Sequence, residues 1–169
     1  GLTPLEGVMM GTRSGDIDGG AVAFLQKKLN LDADGISDLL NKKSGVLGIT
    51  QLSSDMREVE TACEKGDPKA ILSMKMYNYR IKKYIGAYAA AMGGVDIIVF
   101  TAGVGENQWS TRQEACEGLE FLGVKIDKEL NKGLRGVEKV ISTADSKVTV
   151  CIIPTDEELM IATDTMDLL

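Results

Sequence analysis

The chain has 169 residues, a length that suits one domain and buries roughly two thirds of the surface an unfolded chain of this size exposes. Its hydrophobic share of 44% and charged share of 26% are those of a globular protein, and no apolar run approaches the ~20 residues needed to cross a bilayer, which excludes a membrane span. The net charge of −6, with no basic stripe against it, repels a phosphate-rich polymer and excludes nucleic acid as a partner.

Asp18 precedes an amphipathic stretch, Ala21 to Asn30, in which Val22, Leu25 and Leu29 recur at three- and four-residue steps. This predicts a short helix capped by Asp18. Ile36, Leu39 and Leu40 continue into a second short helix, which Asn41-Lys42-Lys43-Ser44-Gly45 breaks. Val46 to Thr50 reads either as a strand or as a connector. Ser53 or Ser54 is placed to cap a helix from Asp55 toward Lys65, and Gly66-Asp67-Pro68 ends it, with Asp67 capping and Pro68 opening the next. In that long helix Ile71, Met74, Tyr77, Ile81, Tyr84, Ile85, Tyr88 and Met92 form a stripe, read as core packing, until Gly93-Gly94 stops it.

Val95 to Phe100 predicts a strand that runs into a glycine-bearing turn. Ser110-Thr111-Arg112-Gln113 has the form of a capping box for a helix through Leu119. Val124-Lys125-Ile126 and Val140-Ile141-Ser142 predict brief strands, and Val148 to Ile153 a continuous apolar one. After Pro154, Thr155-Asp156-Glu157-Glu158 reads as a second capping box opening the last helix. Buried strands alternating with helices predict an α/β fold, with a mainly parallel sheet flanked by helices. Ligands of such sheets lie at the carboxyl ends of strands, where Gly103-Val104-Gly105 and Asp156-Glu157 both fall.

Two turns carry the chemistry, Gly11-Thr12-Arg13-Ser14-Gly15-Asp16 and Phe100-Thr101-Ala102-Gly103-Val104-Gly105-Glu106-Asn107, and together they point to a nucleotide. Glycine lets backbone come against a flat or charged ligand, so residues 103–107 would face adenine and ribose, with Glu106 and Asn107 as hydrogen-bonding partners. The plainer alternative is a strand-to-helix connector with no ligand. Two glycines fall short of the G-x-G-x-x-G pattern, which disfavours a dinucleotide site. Arg13 offers a fixed fork for a transferring phosphoryl group; alternatively it is a surface arginine paired with Asp16 or Asp18. Asp156-Glu157-Glu158 would bring one carboxylate to a strand end, where Mg²⁺ can bind, or would only cap the helix. Asp32-Ala33-Asp34-Gly35 echoes a calcium loop but lacks its later ligands. Cys63, Cys116 and Cys151 lack CxxC spacing and read as buried apolar residues in a reducing compartment. The absence of histidine excludes a His-based triad or an ordinary zinc site within the chain.

The run Gly1-Leu2-Thr3-Pro4-Leu5-Glu6-Gly7-Val8-Met9-Met10-Gly11-Thr12-Arg13-Ser14-Gly15-Asp16, with Phe100 to Asn107 and Pro154 to Ala162, resembles the acetate kinase family, which includes propionate kinases. The resemblance extends essentially end to end. It implies two similar actin-like, sugar-kinase-like ATPase domains around a cleft, and reversible transfer of the ATP γ-phosphoryl group to acetate, giving acetyl phosphate and ADP with Mg²⁺. It implies that Arg13 is the catalytic arginine, that Asp55, Met56 and Arg57 with Gly103, Val104, Gly105, Glu106 and Asn107 hold the nucleotide, and that Glu157 is a magnesium ligand. It further implies a cytoplasmic homodimer. Members of the family are much longer than this chain, which starts at Gly1 rather than Met. Residues 1–169 are therefore expected to be a single carboxy-terminal nucleotide-binding domain, inactive alone, without the amino-terminal domain and the acyl pocket. The competing expectation is a non-catalytic nucleotide-binding or dimerisation module.

Overall fold

A computed structural model describes residues 1–168. The chain divides into two compact units, Gly1–Tyr88 and the stretch from Ala89 onward.

In the first unit, α1 (Gly19–Leu29) starts where the Asp18 carboxylate accepts the amides of Gly20 and Ala21, and it ends at Asn30 in the left-handed region. The carboxylate of Asp32 accepts the Gly35 amide and caps α2 (Ala33–Lys42), so the calcium-like tetrad is a helix start. Val46 to Thr50 is neither strand nor irregular connector: it lies in a short helix, α3 (Gly45–Thr50). Asp55, rather than Ser53 or Ser54, caps α4 (Met56–Glu64), while the Ser53 hydroxyl accepts the amide of Asp55. Asp67 then accepts the amides of Lys69 and Ala70 at the start of α5 (Pro68–Met92), as its spacing predicts.

The core of this unit gathers Met9, Val46, Val59, Ala70 and Met74, with Tyr77 and Met56 packed against it. Of the predicted α5 stripe Met74 is buried, and Ile71, Tyr77, Ile81, Tyr84 and Ile85 are half-buried. Tyr88 and Met92, at its end, stay 61% and 69% exposed.

The second unit contains β1 (Ile97–Phe100), α6 (Ala102–Asn107), α7 (Trp109–Cys116), a 3-10 turn at Glu120–Leu122, α8 (Lys128–Asn131), β2 (Lys139–Val140), β3 (Thr149–Ile152) and α9 (Glu157–Asp167). β3 is central. β1 runs parallel to it, with Ile97 opposite Thr149 and Phe100 opposite Ile152, whereas β2 is antiparallel. A parallel bridge between Val124 and Val148 lengthens the pairing. The strands are less enclosed than their apolar runs predict: Ile98 and Phe100 are buried, but Ile97 and Val99 face outward on β1.

Neither predicted capping box forms as written. α7 starts at Trp109, one residue before Ser110, and α9 is capped by Asp156, which accepts the Leu159 amide, leaving Thr155 for another contact. Cys63, Cys116 and Cys151 are thiols rather than disulfides, placed within α4, α7 and β3. Among the described residues no helix is long and apolar enough to cross a membrane.

Candidate functional site

The loop that carries Arg13 is held from several sides. Its own ends meet where the Met10 amide donates to the Arg13 carbonyl at 3.0 Å. The Ser14 amide donates to the Leu40 carbonyl at 2.9 Å, and the Thr12 hydroxyl to the Asn41 carbonyl at 2.9 Å, which fastens the loop to the last turn of α2. The amides of Val46 and Leu47 at the start of α3 donate to the carbonyls of Met10 and Gly11. Gly15 takes φ 67° against the chain, where a side-chain carbon would fall 2.5 Å from the Met9 nitrogen, so the turn requires glycine. At Gly11 such a carbon would press on the Ser54 carbonyl at 2.8 Å.

Arg13 projects from this rigid loop into a cleft of about 680 Å³ lined also by Ser37, Asp38, Asn41, Lys42 and Ser54. Arg13 is a partly buried residue, and among the described residues its guanidinium makes no salt bridge; its contact is Met10 Sδ at 3.6 Å. Pairing with Asp16 or Asp18, the alternative left open by the sequence, does not occur. Asp18 caps α1, and Asp16 is taken by α5 through the Tyr84 hydroxyl and Arg80 Nη2 at 3.2 Å. Asp38 on the cleft wall is likewise satisfied by Lys42 and Lys43. Asp34 lines the cleft as well, and among the described residues neither it nor Asp38 forms a salt bridge with Arg13.

The Tyr84 hydroxyl above all, then the Gly7 amide and the charge of Arg80, hold the Asp16 carboxyl below its ordinary 3.8. Ionised Asp16 thus stabilises the fold above the unfolded-chain value, and this stabilisation is lost as pH falls through the lower folded value. Thermal melts of Asp16→Asn are expected to lose less stability than the parent on acidification below about pH 4. Parallel pH dependences in the two proteins would contradict this anchoring.

At the start of α4, Asp55 and Arg57 engage each other. The carboxylate accepts the Arg57 amide at 2.9 Å and its Nη2 at 2.6 Å, and the Asp55 carboxyl is lowered to about 2 mainly by those bonds. Met56 between them packs into the core. Of this predicted trio, Arg57 is exposed and Asp55 serves as its counter-ion and as the helix cap.

In the second unit the parallel register puts the carboxyl ends of β1 and β3 side by side, and both remaining predicted segments leave from there. Residues 103–107 do not form a glycine turn: they are helical, in α6, whose first residue, Ala102, takes a left-handed φ of 58°. Gly105 lies against the β1 backbone, where a side-chain carbon would sit 3.1 Å from the Phe100 carbonyl carbon. Gly103 is exposed, takes no left-handed φ, and has nothing within 4 Å of a side-chain position. The Asn107 amide group turns back to the Gly103 carbonyl at 2.9 Å, and the Glu106 carboxylate crosses to Thr155. Glu157 lies exposed in the first turn of α9, two residues farther on.

The residue that the sequence concealed is Arg112. Its side chain is fully buried, without a carboxylate partner among the described residues, and its fork donates to the Gly105 carbonyl at 2.8 Å, the Glu106 carbonyl at 3.0 Å, the Leu134 carbonyl at 2.8 Å and Asn131 Oδ1 at 2.8 Å. Burial, with the charge of Arg135, lowers its proton affinity to about 10, so it stays charged at neutral pH. The last turn of α6 directs its carbonyl dipoles at this cation. Within Ser110-Thr111-Arg112-Gln113 the residue read as filler in a capping box is thus the clamp of the strand-end helix.

The second unit is thus a small α/β sheet whose adjacent strand ends open into helices, and the first unit, described by itself, holds Arg13 in a cleft. The Acetokinase family model matches residues 1–163, and the chain belongs to that family. It is 70% identical over all 169 residues to the acetate kinase of Phocaeicola vulgatus, and spans 42% of that protein. The crystal structure of Porphyromonas gingivalis acetate kinase superposes with a TM-score of 0.95 at 60% identity, covering 99% of this chain and 42% of the other. A propionate kinase from Francisella tularensis superposes at 0.86 with 40% identity, covering 96% of this chain and 41% of its own. The fold is accordingly part of an actin-like ATPase domain, and the chain spans less than half the length of its relatives.

Proposed function

We propose that residues 1–169 are the carboxy-terminal, nucleotide-binding part of an acetate kinase, whose whole form moves the γ-phosphoryl group of ATP to acetate and back. The observation that carries this reading is Arg13, a partly buried residue in a cleft where, among the described residues, no acid forms a salt bridge with it and Asp38 is engaged by Lys42 and Lys43. Phosphoryl transfer asks for positioned charge more than for covalent help from the protein. A carboxylate oxygen of acetate attacks the γ-phosphorus, the bond to the β-γ bridging oxygen breaks, and ADP leaves with that electron pair. No general base is needed, because acetate is already ionised at neutral pH. Arg13 donates to the equatorial oxygens as charge spreads over them.

For the nucleotide, support comes from Gly103. Neither backbone conformation nor packing within its unit demands glycine there, which fits a surface left bare for adenosine. Arg57 is exposed enough to exchange Asp55 for a phosphate oxygen. Among the described residues no three His, Cys, Asp or Glu side chains gather into a metal cage. A single carboxylate such as Glu157 still fits Mg²⁺ in its usual mode, in which the ion keeps waters and nucleotide oxygens. Mg²⁺ held there would neutralise phosphate charge. Acetate is favoured over propionate as the carboxylate, since the Phocaeicola vulgatus acetate kinase is 70% identical to this chain and the Francisella tularensis propionate kinase 40%. Two copies are proposed to pair, on the strength of exposed Leu159, Ile161 and Met166 on α9; light scattering that shows only monomer at high concentration would oppose this.

Acetyl phosphate formation from ATP and acetate tests the main reading. The full-length protein is expected to turn over and the 169-residue chain alone to be silent. An inactive full-length protein, or an isolated chain that matches it, would overturn the proposal.

A further inference from the structure

Glu106 joins distant parts of the second unit. Its Oε1 accepts the backbone amide of Thr155 at 2.8 Å and the Thr155 hydroxyl at 3.1 Å, across 49 residues of sequence. Its carbonyl accepts Arg112 Nη1 at 3.0 Å and the amide of Gly136 at 3.1 Å. Main chain and side chain are thus both engaged within the protein, although sequence reasoning sends this side chain to the ribose. Thr155 lies on the connection from β3 to α9, two residues before Glu157, while Glu106 lies on α6, which leaves the parallel neighbour β1. The Asp156 cap fixes α9 only to its own first turn. The bonds from Glu106 instead tie that helix start to α6.

We infer that Glu106 is a positioning residue: by holding Thr155 it sets where the Glu157 carboxylate stands relative to the bare Gly103 surface, so that the two strand-end segments act as one piece. This rests on the reading of Glu157 as the carboxylate that takes Mg²⁺. Partners that orient a metal-binding carboxylate are typically worth about 10- to 100-fold in metal affinity.

The test is calorimetric titration of Mg²⁺ into the full-length enzyme saturated with ADP. Glu106→Ala is expected to weaken Mg²⁺ binding by about tenfold. Thr155→Val, which removes one of the two donors, should weaken it less, and Thr155→Ser, which keeps both, should match the parent. The double variant Glu106→Ala/Thr155→Val should be no weaker than Glu106→Ala, because both changes break one link. Additive losses would mean that Glu106 contacts the ligand itself, and would overturn the inference. Parental affinity in Glu106→Ala, with weakened binding in Glu157→Gln, would overturn the inference alone. Parental affinity in Glu157→Gln would remove the metal reading and the role of Glu106 with it. If Glu106→Ala does not fold, the threonine pair decides: weakening confined to valine supports the link, and equal affinities refute it.

Discussion

Arg13→Ala in the full-length enzyme is expected to lower kcat by about 10³- to 10⁵-fold, or about 4 to 7 kcal/mol of barrier. The size follows from where the guanidinium stands. Its neighbouring acids, Asp16, Asp18 and Asp38, are engaged by Tyr84 and Arg80, by the α1 amides, and by Lys42 and Lys43. Asp34 also lines the cleft, but among the described residues no acid forms a salt bridge with Arg13, so its fork is open to a phosphoryl group. The same isolation predicts that folding tolerates the change, because among the described residues the Arg13 side chain makes only a weak bond to Met10 Sδ. Arg13→Lys should recover little, since an ammonium is a point charge and cannot span two oxygens as the fork does. The measurement is acetyl phosphate formation under saturating substrates, with a melting curve beside it. A variant within about tenfold of the parent would remove Arg13 from the chemistry.

The second large effect falls on stability. Arg112→Met should cost the second unit about 3 kcal/mol or more, seen as a drop in melting temperature exceeding about 10 °C. Removal of the guanidinium leaves the carbonyls of Gly105 and Leu134 and the Asn131 Oδ1 without this donor, while the Glu106 carbonyl retains the Gly136 amide. Each buried acceptor so stranded costs about 1 to 3 kcal/mol, and release of a desolvated charge returns part of the sum. Arg112→Lys should restore only part of the loss, because three rotating donors do not reproduce four bonds set in a plane. Asn131→Ala in the Arg112→Met background should cost less than in the parent, because its bond to Arg112 is already gone and only its bond to the Trp109 carbonyl and its buried volume remain to lose. Parental melting in Arg112→Met would show that α6 is held by other means.

The caps at Asp18 and Asp67 and the ends of α1 and α5 are legible in the chain because each depends on neighbours within about four residues. The short segments are not. Val46 to Thr50 becomes helix because its first amides find the carbonyls of Met10 and Gly11, a partnership that no local pattern announces. Residues 103–107 become helix because Arg112 gathers their carbonyls, and the predicted caps at Ser110 and Thr155 yield to Gln108 and Asp156. Of the site, Arg13, Gly103 and Glu157 stand out from residue type and position alone, whereas Arg112 looks like any charged residue in a helix.

The sequence by itself determined the family, the alternation of strands and helices, and which segments meet the strand ends, since these rest on long motifs and on periodicities that a few residues set. Tertiary structure alone decided which charges are free. Asp16 is drawn to Tyr84 across 68 residues, Glu106 to Thr155 across 49, and Arg112 to Leu134 across 22. Whether an arginine ends as a ligand fork or as a buried clamp depends on which acceptors reach it first, and those acceptors are assembled only when the chain folds.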